Sequence, residues 1–177
     1  KAFFGIGTWD KNKLYNILDA FNGINPDDIS DNYFSINYGG KYFDENSAKL
    51  IGHIRNVIED IKSTLTEKEY CILLASLIYS IDKIANTLGH FEAYIKKEIK
   101  PKKFIMRLVD AQCVSGVKIY QEDANTLARN IHTDVLYMDP PYNSRQYSRF
   151  YHVYEVLVKW DKPQLSGTAR KPKPEHM

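Results

Sequence analysis

The sequence predicts an α/β protein with a largely helical first part and a second part that contributes strands to a parallel sheet. Apolar residues recur at helical spacing in three stretches before residue 90. From Phe104 onward the predicted order is strand, helix, strand, loop and helix, which is a βαβα unit and implies a parallel sheet. We therefore divide the chain into a mainly helical part, residues 1–103, and an α/β part, residues 104–177.

The three helices of the first part have clear starting signals. Residues 11–21 place Leu14, Ile17, Leu18 and Phe21 on one face, and a second helix follows Asp44 with an apolar stripe that reaches Leu65. Thr66 and Glu69 form the pattern of a capping box for the third helix. Its apolar stripe is predicted to reach Leu88, with Gly89 as its end.

Short β-branched and aromatic runs predict the strands. They are a hairpin of Tyr33–Tyr38 and Lys41–Phe43 around a tight turn at Gly39-Gly40, then Phe104–Val109, Val117–Tyr120 and Val135–Met138. Helices are predicted for Asp123–Asn130 and for Ser148–Trp160, the latter with Phe150, Tyr154, Leu157 and Val158 inward. The tail from Lys162 to Met177 is rich in proline and lysine and is predicted to be loose.

The tetrapeptide Asp139-Pro140-Pro141-Tyr142 is the most informative motif in the chain. It follows the apolar run Val135–Met138, so the prolines end a strand that we expect to be buried. The carboxyl ends of strands in open α/β sheets are where such proteins bind their ligands.

The chemistry of this loop suits methyl transfer to an exocyclic amino group. An aromatic amine is a poor nucleophile because its lone pair is delocalised into the ring. The Asp139 carboxylate and the Pro140 carbonyl can accept its hydrogens and free that lone pair, while Tyr142 offers a flat face for stacking. A base in a duplex must be flipped out to reach such a pocket. The tetrapeptide alone leaves adenine N6, cytosine N4 and a guanine in RNA open as targets.

Composition limits the other functions. The formal net charge of +2 is too small to argue for a nucleic-acid partner by itself. No apolar run is long enough to span a membrane, and no signal peptide is visible. The two cysteines, Cys71 and Cys113, form neither a disulfide framework nor a metal-ligand cluster, which favours a reducing cytoplasm.

The charge is unevenly distributed, with a basic run after the third helix. Its cations are Lys96, Lys97, Lys100, Lys102, Lys103 and Arg107, against the single acid Glu98. Such cations can neutralise DNA phosphates, whereas base edges supply sequence specificity. A solvated, lysine-rich helix end is the alternative interpretation.

Four longer strings carry a family resemblance, namely Val135–Tyr147 around the motif, Tyr38–Asn46, Ala85–His90 and Tyr151–Glu155. They resemble the N6-adenine-specific DNA methyltransferases related to Dam, especially those of type II restriction–modification systems. The likeness runs from about Leu14 to about Arg170. It implies a Rossmann-like fold that uses S-adenosylmethionine, with a helical target-recognition region near residues 44–107.

The resemblance also implies roles for individual residues. Asp139, Pro140, Pro141 and Tyr142 would be the catalytic residues that hold the flipped adenine, with Asp139 also near the methionine end of the cofactor. Asp123 matches a position near the cofactor adenine, although a plain helix N-cap is an equal alternative.

The resemblance implies partners as well. The substrate is double-stranded DNA, and a cognate restriction endonuclease would act on the same site. Further cations surround the motif in the sequence and could hold the backbone of the flipped nucleotide. They are Arg145, which we favour because it is three residues from Tyr142, and Arg149, Arg170, Lys171 and Lys173.

One part of the family pattern is not found in its usual context. Phe3-Phe4-Gly5-Ile6-Gly7 fits the glycine-rich cofactor loop Phe-x-Gly-x-Gly, but no strand precedes it and no acidic strand end follows at the usual distance. We therefore expect an internal fragment of a larger methyltransferase that binds S-adenosylmethionine poorly. A non-catalytic DNA-binding remnant is the alternative from a different functional class.

Overall fold

The computed structural model describes residues 2–3, 7–111, 116–142 and 146–173. Within these ranges the protein is mainly helical and has one small antiparallel sheet. The helices are α1 (Lys11–Asn22), α2 (Tyr33–Tyr38), α3 (Glu45–Asp60), α4 (Glu67–Asp82), α5 (Ala124–Asn130), α6 (Tyr147–Phe150) and α7 (His152–Lys159). The strands are β1 (Leu165–Ser166) and β2 (Lys171–Pro172), and the 3-10 turns are Pro26–Asp28 and Lys62–Thr64.

The predicted helix starts are confirmed. The Asp44 carboxylate accepts a hydrogen bond from the backbone at the start of α3, and Thr66 and Glu69 form both hydrogen bonds of a capping box on α4. The end of α4 differs from the prediction, because the helix stops at Asp82. Leu88 lies beyond it and is 85% exposed, so it is not a core residue.

The predicted hairpin strand Tyr33–Tyr38 is wrong, because these residues form α2. The cause is local. The Asn32 side chain accepts hydrogen bonds from the first turn, and the Ser35 hydroxyl accepts one from the Asn32 backbone, which completes a capping box. The predicted turn after it is confirmed, since Gly40 has a φ of 63° and its N–H donates to the Phe43 carbonyl at 2.9 Å.

A buried arginine connects three helices in the core. Arg55 of α3 is fully buried, and its Nε donates to the Leu157 carbonyl of α7 at 2.6 Å. The same guanidinium donates to Glu59 and to the hydroxyl of Tyr70 on α4. Burial opposes ionisation of Glu59, but hydrogen bonds from Lys62, Tyr70 and Arg55 lower the pKa of that carboxyl to about 2.

The predicted strand Phe104–Val109 pairs with no other strand among the described residues, although burial alternates from Phe104 to Arg107. Side chains of the helices replace a neighbouring strand. Asn22 of α1 exchanges two hydrogen bonds with the Met106 backbone, and Ser76 of α4 accepts from Val109 N–H at 3.0 Å. The segment therefore lies against α1 and α4, with no partner strand in the described part of the chain.

The predicted buried strand before the motif is wrong. Val135, Leu136, Tyr137 and Met138 are 81%, 52%, 85% and 75% exposed, and they form no ladder. Val117–Tyr120 is likewise unpaired. A strand of a parallel sheet needs neighbouring strands for its backbone and helices for its faces. Within the described ranges the only sheet is the β1–β2 pair, so these runs have nothing to pair with.

The C-terminal part is more ordered than predicted. The predicted helix Ser148–Trp160 is divided into α6 and α7 at Tyr151, and Val158 is 46% exposed, whereas Val153 and Val156 are buried. The tail predicted to be loose contains the hairpin of β1 and β2, with Ser166 opposite Lys171.

Candidate active site

All four residues of the Asp139-Pro140-Pro141-Tyr142 motif are exposed, and Tyr142 is 84% exposed. Its hydroxyl donates a hydrogen bond to Oδ1 of Asp139. That bond raises the pKa of Tyr142, because losing the proton would place two negative charges together. The carboxylate and the ring of the motif therefore lie side by side, and both can be reached by a ligand.

Asp123 is the N-cap of α5, as one of the two sequence interpretations predicted. Its Oδ1 accepts hydrogen bonds from the backbone N–H of Thr126 at 2.8 Å and from the Thr126 hydroxyl at 3.0 Å. These bonds lower the pKa of Asp123 because they favour the charged carboxylate. Both bonds from Thr126 are at Oδ1, so Oδ2 can still accept a hydrogen bond from a ligand amine.

The segment that carries both acids has few connections to the helices. None of residues 116–142 is buried. Every hydrogen bond that these residues make within the described ranges joins two members of the segment, such as Thr133 with Val135. We call residues 116–142 the motif segment.

The basic run lies partly along a cleft of about 650 Å³ beside the start of α3. Lys97, Lys102 and Lys103 line this cleft, and the Lys102 carbonyl accepts from Ser47. Three acids, Asp44, Glu45 and Glu98, line it as well, so the formal charges of its lining cancel. Lys96 and Arg107 are exposed but do not line it. None of the described residues between Asp82 and α5 is helical, so the basic run is not a helix end.

Two predicted site residues lie outside the described residues. They are Arg145 and Gly5, while Gly7 is described and has a φ of 123°. The sequence also missed polar groups of the C-terminal hairpin, Ser166 and Thr168, which line a second cleft with Arg149. This lysine- and proline-rich tail has few residues that favour strands, so the only available signal was its charge.

Comparison with known proteins decides the family. A family model of the D12 class N6 adenine-specific DNA methyltransferases matches residues 11–175. The chain belongs to this family. No solved structure matches the chain. None of the described helices is both long enough and apolar enough for a membrane span.

Relatives named as type II methyltransferases and as a modification methylase support the assignment. The chain is 38% identical over 127 residues to the type II methyltransferase M.NlaIII of Neisseria lactamica. This alignment covers 68% of this chain and 38% of that protein. It is 35% identical over 147 residues to the modification methylase StsI of Streptococcus sanguinis, covering 78% and 22%. It is 35% identical over 154 residues to M.CviAII of Paramecium bursaria Chlorella virus 1, covering 82% and 47%. The chain thus spans less than half the length of each.

Proposed function

We propose that the protein methylates N6 of a specific adenine in duplex DNA, in the cytoplasm, as the modification enzyme of a restriction–modification system. The observation that carries this proposal is the exposed Asp139-Pro140-Pro141-Tyr142 loop within a chain that matches the adenine-methyltransferase family over residues 11–175. The names of the relatives support the pairing with a cognate restriction endonuclease.

The motif supplies what attack by an amino group requires. Asp139 and the Pro140 carbonyl accept the two N6 hydrogens, so the lone pair leaves the ring and points at the methyl donor. Pro141 fixes the backbone after that carbonyl, and the exposed face of Tyr142 stacks on the flipped base. The amine loses its proton to water after the methyl group has arrived, because the alkylated nitrogen is acidic.

When bound, S-adenosylmethionine would supply the electrophilic methyl group, and its sulfur would keep the bonding electrons and leave as the thioether of S-adenosylhomocysteine. Asp123 would bind the adenine of the cofactor through Oδ2, and Asp139 would lie near its methionine end. A Rossmann-like sheet would place both acids at the ends of adjacent strands. Residues 104–177 then form part of the catalytic domain and residues 1–103 the target-recognition region.

DNA contact by the basic run follows from the same assignment. Lys96, Lys97, Lys102, Lys103 and Arg107 are exposed cations, and Arg145 follows the motif directly. The balancing acids Asp44, Glu45 and Glu98 limit the net attraction of the cleft for a polyanion. We therefore assign this run to orientation of the duplex rather than to most of the affinity.

The test is methyl transfer from radiolabelled S-adenosylmethionine by the full-length protein. A duplex library that contains adenine should be labelled, and the same library with N6-methyladenine should not. Asp139→Asn should lower the rate by at least about a hundredfold, whereas the nearby exposed Asp134→Asn should leave it unchanged. Labelling of cytosine or of RNA would show that the methylated group is not adenine N6 of DNA. DNA binding without any transfer would favour the non-catalytic alternative.

A further inference from the structure

The second cleft lies between α6 and the C-terminal hairpin and has a volume of about 330 Å³. Its lining contains three cations, Arg149, Lys171 and Lys173, and two hydroxyl groups, Ser166 and Thr168. No acidic or aromatic residue is among the described residues that line it. The formal charge of this described lining is therefore +3, in contrast to the balanced cleft beside α3.

Two of the three cations of this cleft are not neutralised by a described residue. Arg149 and Lys173 are exposed and make no ion pair within the described ranges. The Lys171 ammonium pairs with Glu92 at 3.7 Å from its Oε1, which partly offsets the third charge. An anion that enters the cleft thus meets the positive charges of Arg149 and Lys173, which no described acid balances.

One buried histidine lies against both walls of the cleft. His152 is fully buried, with Nε2 2.9 Å from the Ala169 carbonyl and Nδ1 3.3 Å from the Arg149 carbonyl. The hydroxyl of Tyr42, also fully buried, lies 3.0 Å from the same Ala169 carbonyl and 2.8 Å from that of Phe91, so its one hydrogen is shared between them. The turn of the hairpin is therefore held against the core before any ligand binds, and the end of α6 contacts the same histidine ring.

The histidine adds no charge to the cleft near neutral pH. Burial lowers the pKa of His152 to about 4, despite hydrogen bonds to the backbone that raise it. The neutral ring donates a single hydrogen bond near neutral pH, and the shorter distance assigns that bond to Ala169. The positive field in the cleft then comes from Arg149, Lys171 and Lys173.

We propose that this cleft binds a backbone phosphate of the substrate DNA close to the methylated adenine. Guanidinium, ammonium and hydroxyl groups are the side chains that hold phosphate oxygens, and a site without a flat aromatic side chain has no stacking platform for a base. Arg149 is seven residues after Tyr142, so the phosphate would lie close to the motif along the DNA strand. This inference rests on the proposed function, and it adds a contact with the DNA backbone next to the methylated adenine.

The test compares charge-removing variants inside and outside the cleft. Arg149→Gln, Lys173→Gln and the double variant are matched with Lys83→Gln, an exposed lysine at the end of α4. Binding of a fluorescein-labelled DNA duplex is measured by anisotropy over a range of salt concentrations, with circular dichroism to verify folding. A duplex RNA of the same sequence and methyl transfer to adenine are measured in parallel.

The cleft variants should bind DNA about tenfold more weakly, with a salt slope that falls by about 1 for one lost phosphate. Lys83→Gln should match the parent protein. Unchanged affinity and slope in the double variant would overturn the phosphate site, even if adenine is methylated. A parent protein that binds no DNA, or that binds duplex RNA as tightly, would overturn it too. If the cleft variants show a smaller salt slope of DNA binding but the parent protein transfers no methyl group, the phosphate site is supported and the proposed enzyme activity is contradicted.

Discussion

Two regions of the chain differ in how their structure is maintained. The helical core, which we define as residues 11–111 with 146–173, buries Leu14, Phe34, Ile54 and Leu73 completely and is connected by long-range hydrogen bonds such as that from Arg55 to Leu157. The motif segment, residues 116–142, has no buried residue and only local hydrogen bonds to described residues. The candidate catalytic groups thus lie in the region with the least tertiary support.

This difference shows what each type of element needs from the rest of a protein. The core helices satisfy their own backbones and need only one apolar face covered. A strand depends on neighbours for every backbone hydrogen bond, and the apolar run Val135–Met138 has none among the described residues. Its four exposed apolar side chains form a surface that a Rossmann-like sheet would cover.

A matched pair of leucines gives the largest expected contrast. Leu73→Ala empties a fully buried site in α4, so unfolding of this chain should become easier by about 2–5 kcal/mol. Leu136→Ala, at a side chain that is 52% exposed, should change the free energy of unfolding by under about 0.5 kcal/mol. Urea denaturation followed by circular dichroism measures both.

A large effect at Leu136 would contradict the comparison, because it would mean that the run before the motif is packed in solution. If Leu73→Ala destabilises the chain and Leu136→Ala does not, one further measurement is informative. If Leu136→Ala is silent for folding but reduces methyl transfer by the full-length protein, the run contributes to the assembled catalytic domain and not to this core.

The sequence predicted the helices well because their signals are local. The capping box of Thr66 and Glu69 and the N-cap at Asp44 lie within a few residues of the structure they specify. Tyr33–Tyr38 shows the limit of composition, since aromatic residues favoured a strand while the capping box of Asn32 and Ser35 produced a helix. Strand pairing is non-local, so no pattern in Phe104–Val109 could reveal that α1 and α4 side chains would take the place of a neighbour.

The candidate site was predictable in part for the same reason. Asp139 and Tyr142 are three residues apart, and their hydrogen bond is local. Arg149 and Lys171 were noticed only as charges. Their common cleft depends on the contacts of His152 with Arg149 and Ala169. The contact with Ala169 joins residues that are 17 positions apart in the sequence, so no local pattern indicates it.

Acid should weaken the helical core. Burial holds the pKa of His152 at about 4, below its ordinary 6.5, so between these values the unfolded chain binds a proton that the folded chain does not. Stability is therefore complete above pH 6.5 and decreases as pH falls towards 4, by up to about 3 kcal/mol. Urea midpoints at half-unit pH steps measure this loss.

His152→Gln supplies the control for the pH effect, since glutamine keeps a hydrogen-bond donor and does not titrate. The variant should lose most of the pH dependence between 6.5 and 4. Below about pH 4.5 both proteins should lose further stability, because the pKa of Glu59 is lowered to about 2 in the fold. An unchanged slope between 6.5 and 4 in the variant would assign the acid effect to another group.

The smallest contrast uses two tyrosine hydroxyls, one in each region. The buried Tyr42 hydroxyl lies 2.8 Å from the Phe91 carbonyl and 3.0 Å from the Ala169 carbonyl, and its one hydrogen is shared between these two acceptors. Tyr42→Phe should cost about 1–2 kcal/mol of stability because the Phe91 carbonyl then loses a buried donor, whereas His152 still serves Ala169. Tyr142→Phe removes a hydroxyl bonded to Asp139 in full solvent, where water replaces the lost partner. Its effect should stay under about 0.5 kcal/mol in the same urea experiment. Equal losses at both positions would show that the motif loop is packed as firmly as the core, which would remove the distinction between the two regions.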